Sequence, residues 1–123
     1  MDIYKNIQTK ILNGGLIKLI ESYSRSCSVD IKHKPELLEH FFSLGDITKY
    51  ITIQNSSGMP AKNYSLYQDV VDIISPVLEK EGIKIVLIGD TDSQPLSKVT
   101  NLIGITSIHQ SAYIVRNSLL HFG

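Results

Sequence analysis

Apolar positions in the second half of the chain follow two rhythms in turn. The stretch "YITIQ" (residues 50–54) alternates β-branched and polar positions and predicts a strand. Leu66, Val70, Ile73, Ile74, Val77 and Leu78 then follow helical spacing. Ser65 with Gln68 matches a capping box for that helix, Gly82 supplies its stop, and Pro76 inside it predicts a kink. "IKIVLIG" (residues 83–89) is apolar without alternation, the pattern of a strand covered on both faces. A polar segment, "DTDSQPLSKVT", leads to "NLIGI", a further short strand. Thr106 or Ser107 can cap a helix carrying Ile108, Ala112 and Val115 on one face, and "SLLHFG" reads as a last strand.

Strand, helix, strand, repeated, is the grammar of an α/β fold: a Rossmann-like parallel sheet with crossover helices. The first part of the chain reads as a short helical segment. Ile3, Ile7 and Ile11 share one helical face, Gly14-Gly15 interrupts, and Leu16, Leu19, Ile20 and Tyr23 resume the stripe. Pro35 can open a helix through "ELLEHFFS", with Gly45 just past its end. The expected division is residues 1–46, a helical segment without an assigned role, and residues 47–123, a partial Rossmann-like domain, to which the family likeness described below adds nucleotide-sugar binding.

Composition narrows the partners. Apolar residues make up 42% and charged residues 20%, which argues for a folded globular chain and against disorder. Twelve basic side chains balance twelve acidic ones, so no net field draws in nucleic acid or an anionic membrane, and any anion site must be local. The single Cys27 cannot form an internal disulfide and reads as an inert thiol. No apolar run approaches the ~20 residues of a membrane span, and the first ten residues lack a secretory signal's pattern, so the expectation is a cytoplasmic protein without a transmembrane segment.

In parallel sheets, ligands bind beyond the carboxyl ends of the strands. The loop "NSSGMPAKNY" follows the first strand there. Ser56 and Ser57 offer hydroxyls, Gly58 lets backbone N–H groups approach a ligand, and Lys62 adds a point charge suited to phosphate. The alternative for this loop is a turn with a solvated lysine. After the second strand, Asp90 and Asp92 admit three readings: a divalent metal site, an Asp90 nucleophile as in haloacid-dehalogenase phosphatases, or aspartates that satisfy turn donors. His33, His40, His109 and His121 show no metal-ligand spacing with one another or with Cys27, and read as structural or exposed.

These same residues carry a family likeness. "MPAKNYSLYQDVVDII" resembles the segment after the first strand of the second domain in glycosyltransferase family 9, the lipopolysaccharide heptosyltransferases and their relatives. The pattern there is Pro-Ala-Lys, any residue, an aromatic, then a helix; here it reads Pro60, Ala61, Lys62, Asn63, Tyr64. "IVLIGD", "NLIGITSI" and "QSAYIVRNSLLHFG" resemble later stretches of the same domain, in the family's order, so that the likeness covers residues 48–123. It implies a GT-B architecture, two Rossmann-like domains facing a cleft, with no required metal or other cofactor. The donor is a nucleotide-diphosphate sugar, an ADP-sugar first, and the acceptor a saccharide. By position, Ser56, Ser57, Gly58 and Lys62 would contact the donor phosphates. Gly89 and Asp90 would lie near the nucleoside, with Gln94 or Asp92 standing where the family often has a glutamate.

Two departures accompany the likeness. The family's Asn-Asp-Ser/Thr-Gly-x-x-His motif, expected after "SLLHFG", has no counterpart in these residues, and the residues before the match are too few for a first domain. The resemblance therefore implies a partial, heptosyltransferase-like fragment that is catalytically incomplete alone and either self-associates or joins a complementing domain. No residue is assigned as its catalytic base. The competing expectations are a non-catalytic nucleotide- or protein-binding module and an Asp90-dependent phosphatase-like enzyme.

Overall fold

The computed structural model describes residues 19–30, 32 and 36–123. The chain divides into two units, Met1–Glu36 and Leu37–Gly123. The expectations for Ile3, Ile7, Ile11, Gly14, Gly15, Leu16, His33 and Pro35 lie outside the described residues. In the first unit, α1 (Leu19–Cys27) ends in a left-handed Ser28 at φ 54°. Val29 N–H donates to Ser24 O at 3.0 Å and Ser28 N–H to Arg25 O at 3.3 Å, the paired bonds of a Schellman stop. Tyr23, expected on an apolar stripe, is exposed.

The second unit is built on a four-stranded, all-parallel sheet in the order β3-β2-β1-β4. Its elements are β1 (Tyr50–Ile53), a 3-10 turn (Pro60–Lys62), α2 (Tyr67–Lys80), β2 (Lys84–Leu87), β3 (Thr100–Asn101), α3 (Ile108–Arg116) and β4 (His121–Phe122). This is the expected α/β class. The step from β1 to β2 runs one way along the sheet, and the step from β3 to β4 runs the other. Right-handed crossovers in opposite directions must put their helices on opposite faces.

The two cores follow from strand alternation. Ile51, Ile53, Ile85 and Leu87 point to one face, where Val71 is buried with Tyr67, Ile74 and Leu78 of α2 packed alongside. Tyr50, Val86 and Ile88 point to the other, with Leu102 and Ile114, against Tyr113 and Val115 of α3. The register pairs Ile51 with Ile85 and Ile53 with Leu87, so like faces meet like. Full burial of one such side chain contributes about 1.5–3 kcal/mol. Tyr50 reaches through its core to donate its hydroxyl to Ile114 O at 2.7 Å. Burial, and secondarily Tyr113, pushes the pKa of that hydroxyl above the ordinary tyrosine value.

The helix ends show where local signals win and lose. Gly82, at φ 68°, ends α2 with the Ile83 N–H donated to Leu78 O at 2.9 Å and its own N–H to Glu79 O at 3.1 Å. The Ser65 capping box does not form, because Leu66 occupies the N-cap and no side chain caps it. Gln68 instead reaches outward, taking the Ser97 N–H at 2.8 Å and donating to Asp72 at 3.1 Å. Ile73, Val77 and Leu66 are exposed, while α2 runs unbroken through an exposed Pro76. At α3 the capping box is complete: Gln110 N–H donates to Ser107 Oγ at 3.1 Å, and Ser107 N–H to Gln110 Oε1 at 2.9 Å. Ile108 is exposed and Ile114, not part of the expected stripe, is fully buried.

No helix forms over residues 36–43. That segment lies along α3 and spends its polar groups there instead of on its own turns. His40 N–H donates to His109 O at 3.1 Å, His109 Nδ1 meets Leu38 O at 2.7 Å, and Arg116 pairs with Glu39 at 2.9 Å. Phe41 sits edge-on to Tyr113. Gly45, at φ 62°, turns the chain towards β1 rather than ending a helix. Among the described residues, no helix is long and apolar enough to cross a membrane.

Candidate functional site

The carboxyl edge of the sheet is assembled by the ladder itself. Ile88 N–H donates to Ile53 O at 2.9 Å, Leu102 N–H to Leu87 O at 2.8 Å, and Gly104 N–H to Gly89 O at 2.8 Å. Gln54 N–H donates to Phe122 O at 2.8 Å on the other side of β1. Three connections therefore leave the sheet at one level: the loop after β1, the turn after β2, and the link from β3 into α3. The chain's direction along the sheet reverses about β1, the kind of switch point at which parallel sheets take ligands.

An open cleft of about 560 Å³ lies there, between the turn after β2 and the first turn of α3. Gln54, Ile88, Gly89, Asp90, Thr91, Gly104, Thr106, Ile108 and Ser111 line it. Its size is in the range of small-molecule sites. Thr106 Oγ1 and Ser111 Oγ bond each other at 2.7 Å on its α3 wall. Among the described residues, Asp90 is the titratable side chain of the lining, and no lysine, arginine or histidine lines it with Asp90. The chemistry on offer is hydroxyls, one carboxamide and one carboxylate between apolar walls, which suits neutral polar groups better than phosphate.

The turn after β2 is tightly specified. Gly89 has φ 156°, and a Cβ placed on it would stand 2.2 Å from Ser93 Oγ. Gly104, at φ 67°, passes so close to Thr91 that a Cβ would meet its methyl at 3.0 Å. Asp90 Oδ1 accepts the Asp92 N–H at 3.0 Å, and Asp90 O accepts the Ser93 N–H at 3.0 Å. Asp90 thus serves its own turn with one oxygen, the turn chemistry open to an aspartate here. Among the described residues, no group of three or more His, Cys, Asp or Glu side chains is placed to hold a metal ion. The metal reading of Asp90 and Asp92 gains no third ligand from them.

The loop after β1 is closed by its own side chains. Ser57 N–H donates to Asn63 Oδ1 at 2.7 Å, Ser57 Oγ to Met59 O at 2.8 Å, and Met59 N–H to Ser57 Oγ at 3.2 Å. Lys62 ends the 3-10 turn, with its N–H on Met59 O at 2.9 Å. Its side chain is exposed and forms no ion pair among the described residues. Gly58 is also exposed, without a left-handed φ, and a Cβ there would meet nothing within 4 Å. Its glycine is not required by the loop's conformation.

Two bonds join loop and turn. Asn55 Nδ2 donates to Gln94 O at 2.7 Å, and Ser56 Oγ bonds Ser93 Oγ at 2.6 Å. Asn55 Oδ1 is buried beside them without a hydrogen-bond partner among the described residues. Of the residues expected from the sequence, Gly89 and Asp90 line the cleft, and Ser56 is bonded to the turn that forms one of its walls. Ser57, Gly58, Lys62 and Gln94 do not line it. Asn55, Ser93, Thr106 and Ser111 were not legible as site residues. The Ser107-x-x-Gln110 box was the signal that the α3 wall begins where it does. No protein-family model matches the chain, and no curated protein or solved structure matches it.

Proposed function

We propose that residues 37–123 carry much of the donor-binding half of a glycosyltransferase resembling family 9, holding a nucleotide-diphosphate sugar at the carboxyl edge of the sheet. The observation that carries this reading is the pair of bonds from Asn55 to Gln94 and from Ser56 to Ser93. They join the loop suited to a diphosphate to the turn suited to a nucleoside, so that one ligand can span both. The order β3-β2-β1-β4 supports it, because the switch of direction opens this edge to a ligand. In this reading the cleft, lined by hydroxyls, a carboxamide and the Asp90 carboxylate, takes the hydroxylated part of the donor, and the exposed Lys62 loop takes its charge. The intact enzyme would transfer a sugar from an ADP-sugar to a saccharide, stabilising the departing diphosphate with loop N–H groups and Lys62. A complementing domain would supply the base and the acceptor site.

The test is an NMR titration of the full chain with ADP, UDP and GDP, repeated on Lys62→Ala. Shifts at residues 56–62 and 89–94 that weaken in the variant are expected, strongest for ADP. A folded sample without shifts at either segment would refute the reading. A second reading, a nucleotide-binding module without chemistry, is favoured by one observation: the carboxylate lining the cleft has an oxygen tied into its own turn. Binding of ADP without sugar transfer, in the presence of a candidate first domain and a saccharide acceptor, would select it.

A further inference from the structure

The side chain of Asn63 folds back across the loop after β1. Its Oδ1 takes the Ser57 amide proton at 2.7 Å and stands 3.2 Å from the Ser57 hydroxyl. That hydroxyl has a single proton, which goes to Met59 O at 2.8 Å in the closed loop but can turn to an acceptor at the Asn63 position. A partly negative oxygen held by one backbone N–H and faced by a hydroxyl, next in sequence to a lysine with no ion pair among the described residues, is the arrangement that a phosphate oxygen meets in an anion-binding turn.

We infer that Asn63 Oδ1 is an internal stand-in for a diphosphate oxygen, and that the ligand enters by displacing the carboxamide from Ser57. The inference rests on the reading of this loop as a diphosphate holder and adds the atom by which it holds. Exchanging a neutral amide oxygen for a charged phosphate oxygen strengthens the bond to the Ser57 N–H. The Asn63 contact must break first, and its strength is subtracted from the affinity. Asn63 and Ser57 are both exposed, so water serves the Ser57 N–H when the carboxamide is removed.

Three forms of the full chain separate the outcomes: the natural sequence, Asn63→Ala and Asn63→Asp, each titrated with ADP and with inorganic pyrophosphate. Asn63→Ala is expected to bind both about fivefold more tightly, the factor that one net hydrogen bond corresponds to. Asn63→Asp keeps an acceptor for Ser57 but sets a negative charge against the ligand, and is expected to bind more weakly than the natural chain. The Asn63 side-chain amide signals of the natural chain should shift on saturation. If the natural chain binds at residues 56–62 and Asn63→Ala binds equally or less well, Asn63 only shapes the loop; the stand-in is overturned and the diphosphate reading stands. If neither probe shifts these residues in any form, the diphosphate reading falls and the stand-in with it.

Discussion

After β1 the chain makes a long, exposed loop whose bonds run between its own side chains and backbone, from Ser57 to Met59 and Asn63. After β2 it makes a tight turn with little room for backbone movement: Gly89 lies against Ser93, and Gly104, from the link after β3, packs against Thr91. Both leave parallel strands at the same edge. The difference is one of replaceability. A side-chain bond at the surface can be exchanged for a bond to a ligand at little net loss, whereas a backbone that fits only without a Cβ cannot move without disturbing the sheet beneath it. The turn is therefore the wall of the site and the loop its adjustable part.

The sharpest way to break this comparison is at the glycines. Gly89→Ala combines a left-handed φ with a Cβ at 2.2 Å from Ser93 Oγ, and is expected to lower unfolding stability by about 2–4 kcal/mol in urea denaturation. An unchanged midpoint would mean that the turn is not pinned. Gly58→Ala is the opposite case. With open space around it and no left-handed φ, it should stabilise the chain by up to about 1 kcal/mol through the unfolded state. A clear loss would show that the loop is as constrained as the turn.

The smallest effect expected is in acid. The long connection out of the turn is tied to α2 by Lys98, whose Nζ lies 2.9 Å from Asp72 Oδ1. The hydrogen bond from Lys98, and then that from Gln68, hold the Asp72 carboxyl below its ordinary value. A lowered folded value means stability that is present above the unfolded value of about 3.9 and lost as pH falls through the folded one. Asp72→Asn should flatten this part of the acid profile, and added salt should shrink it, because both groups are about half exposed. An identical acid profile in the variant would remove this tie from the account.

The parts of the fold legible in the sequence are those whose signal is local. Ile51, Ile53, Ile85 and Leu87 announce their strands through β-branched and apolar runs, and Gly82 and Ser107 mark helix ends through their own backbone and hydroxyl chemistry. The segment of residues 36–43 carries helix-forming residues, yet the carbonyl of Leu38 and the N–H of His40 go to His109, far along the chain. No local pattern encodes that choice. The site divides in the same way. Gly89 and Asp90 stand at the end of an apolar strand, where a turn can be read, and both line the cleft. Ser93 and Asn55 gain their places from contacts between connections, which become visible only when the sheet brings the connections together.

The strand order also sets a timetable for assembly. β1 meets β2 across the single crossover of α2, but it meets β4 only after the rest of the unit has been threaded, with Thr52 and His121 separated by 69 positions. Closing a longer loop costs more entropy before its contacts repay it, so β4 is the last strand to be added. In refolding, the Lys84 and Ile88 amides, which donate to Lys49 O and Ile53 O at the two ends of β1, would become shielded from exchange before the Leu119 amide, which donates to Tyr50 O. A chain caught between these two events holds β3, β2 and β1 with α2, while β1 still has one side unclaimed.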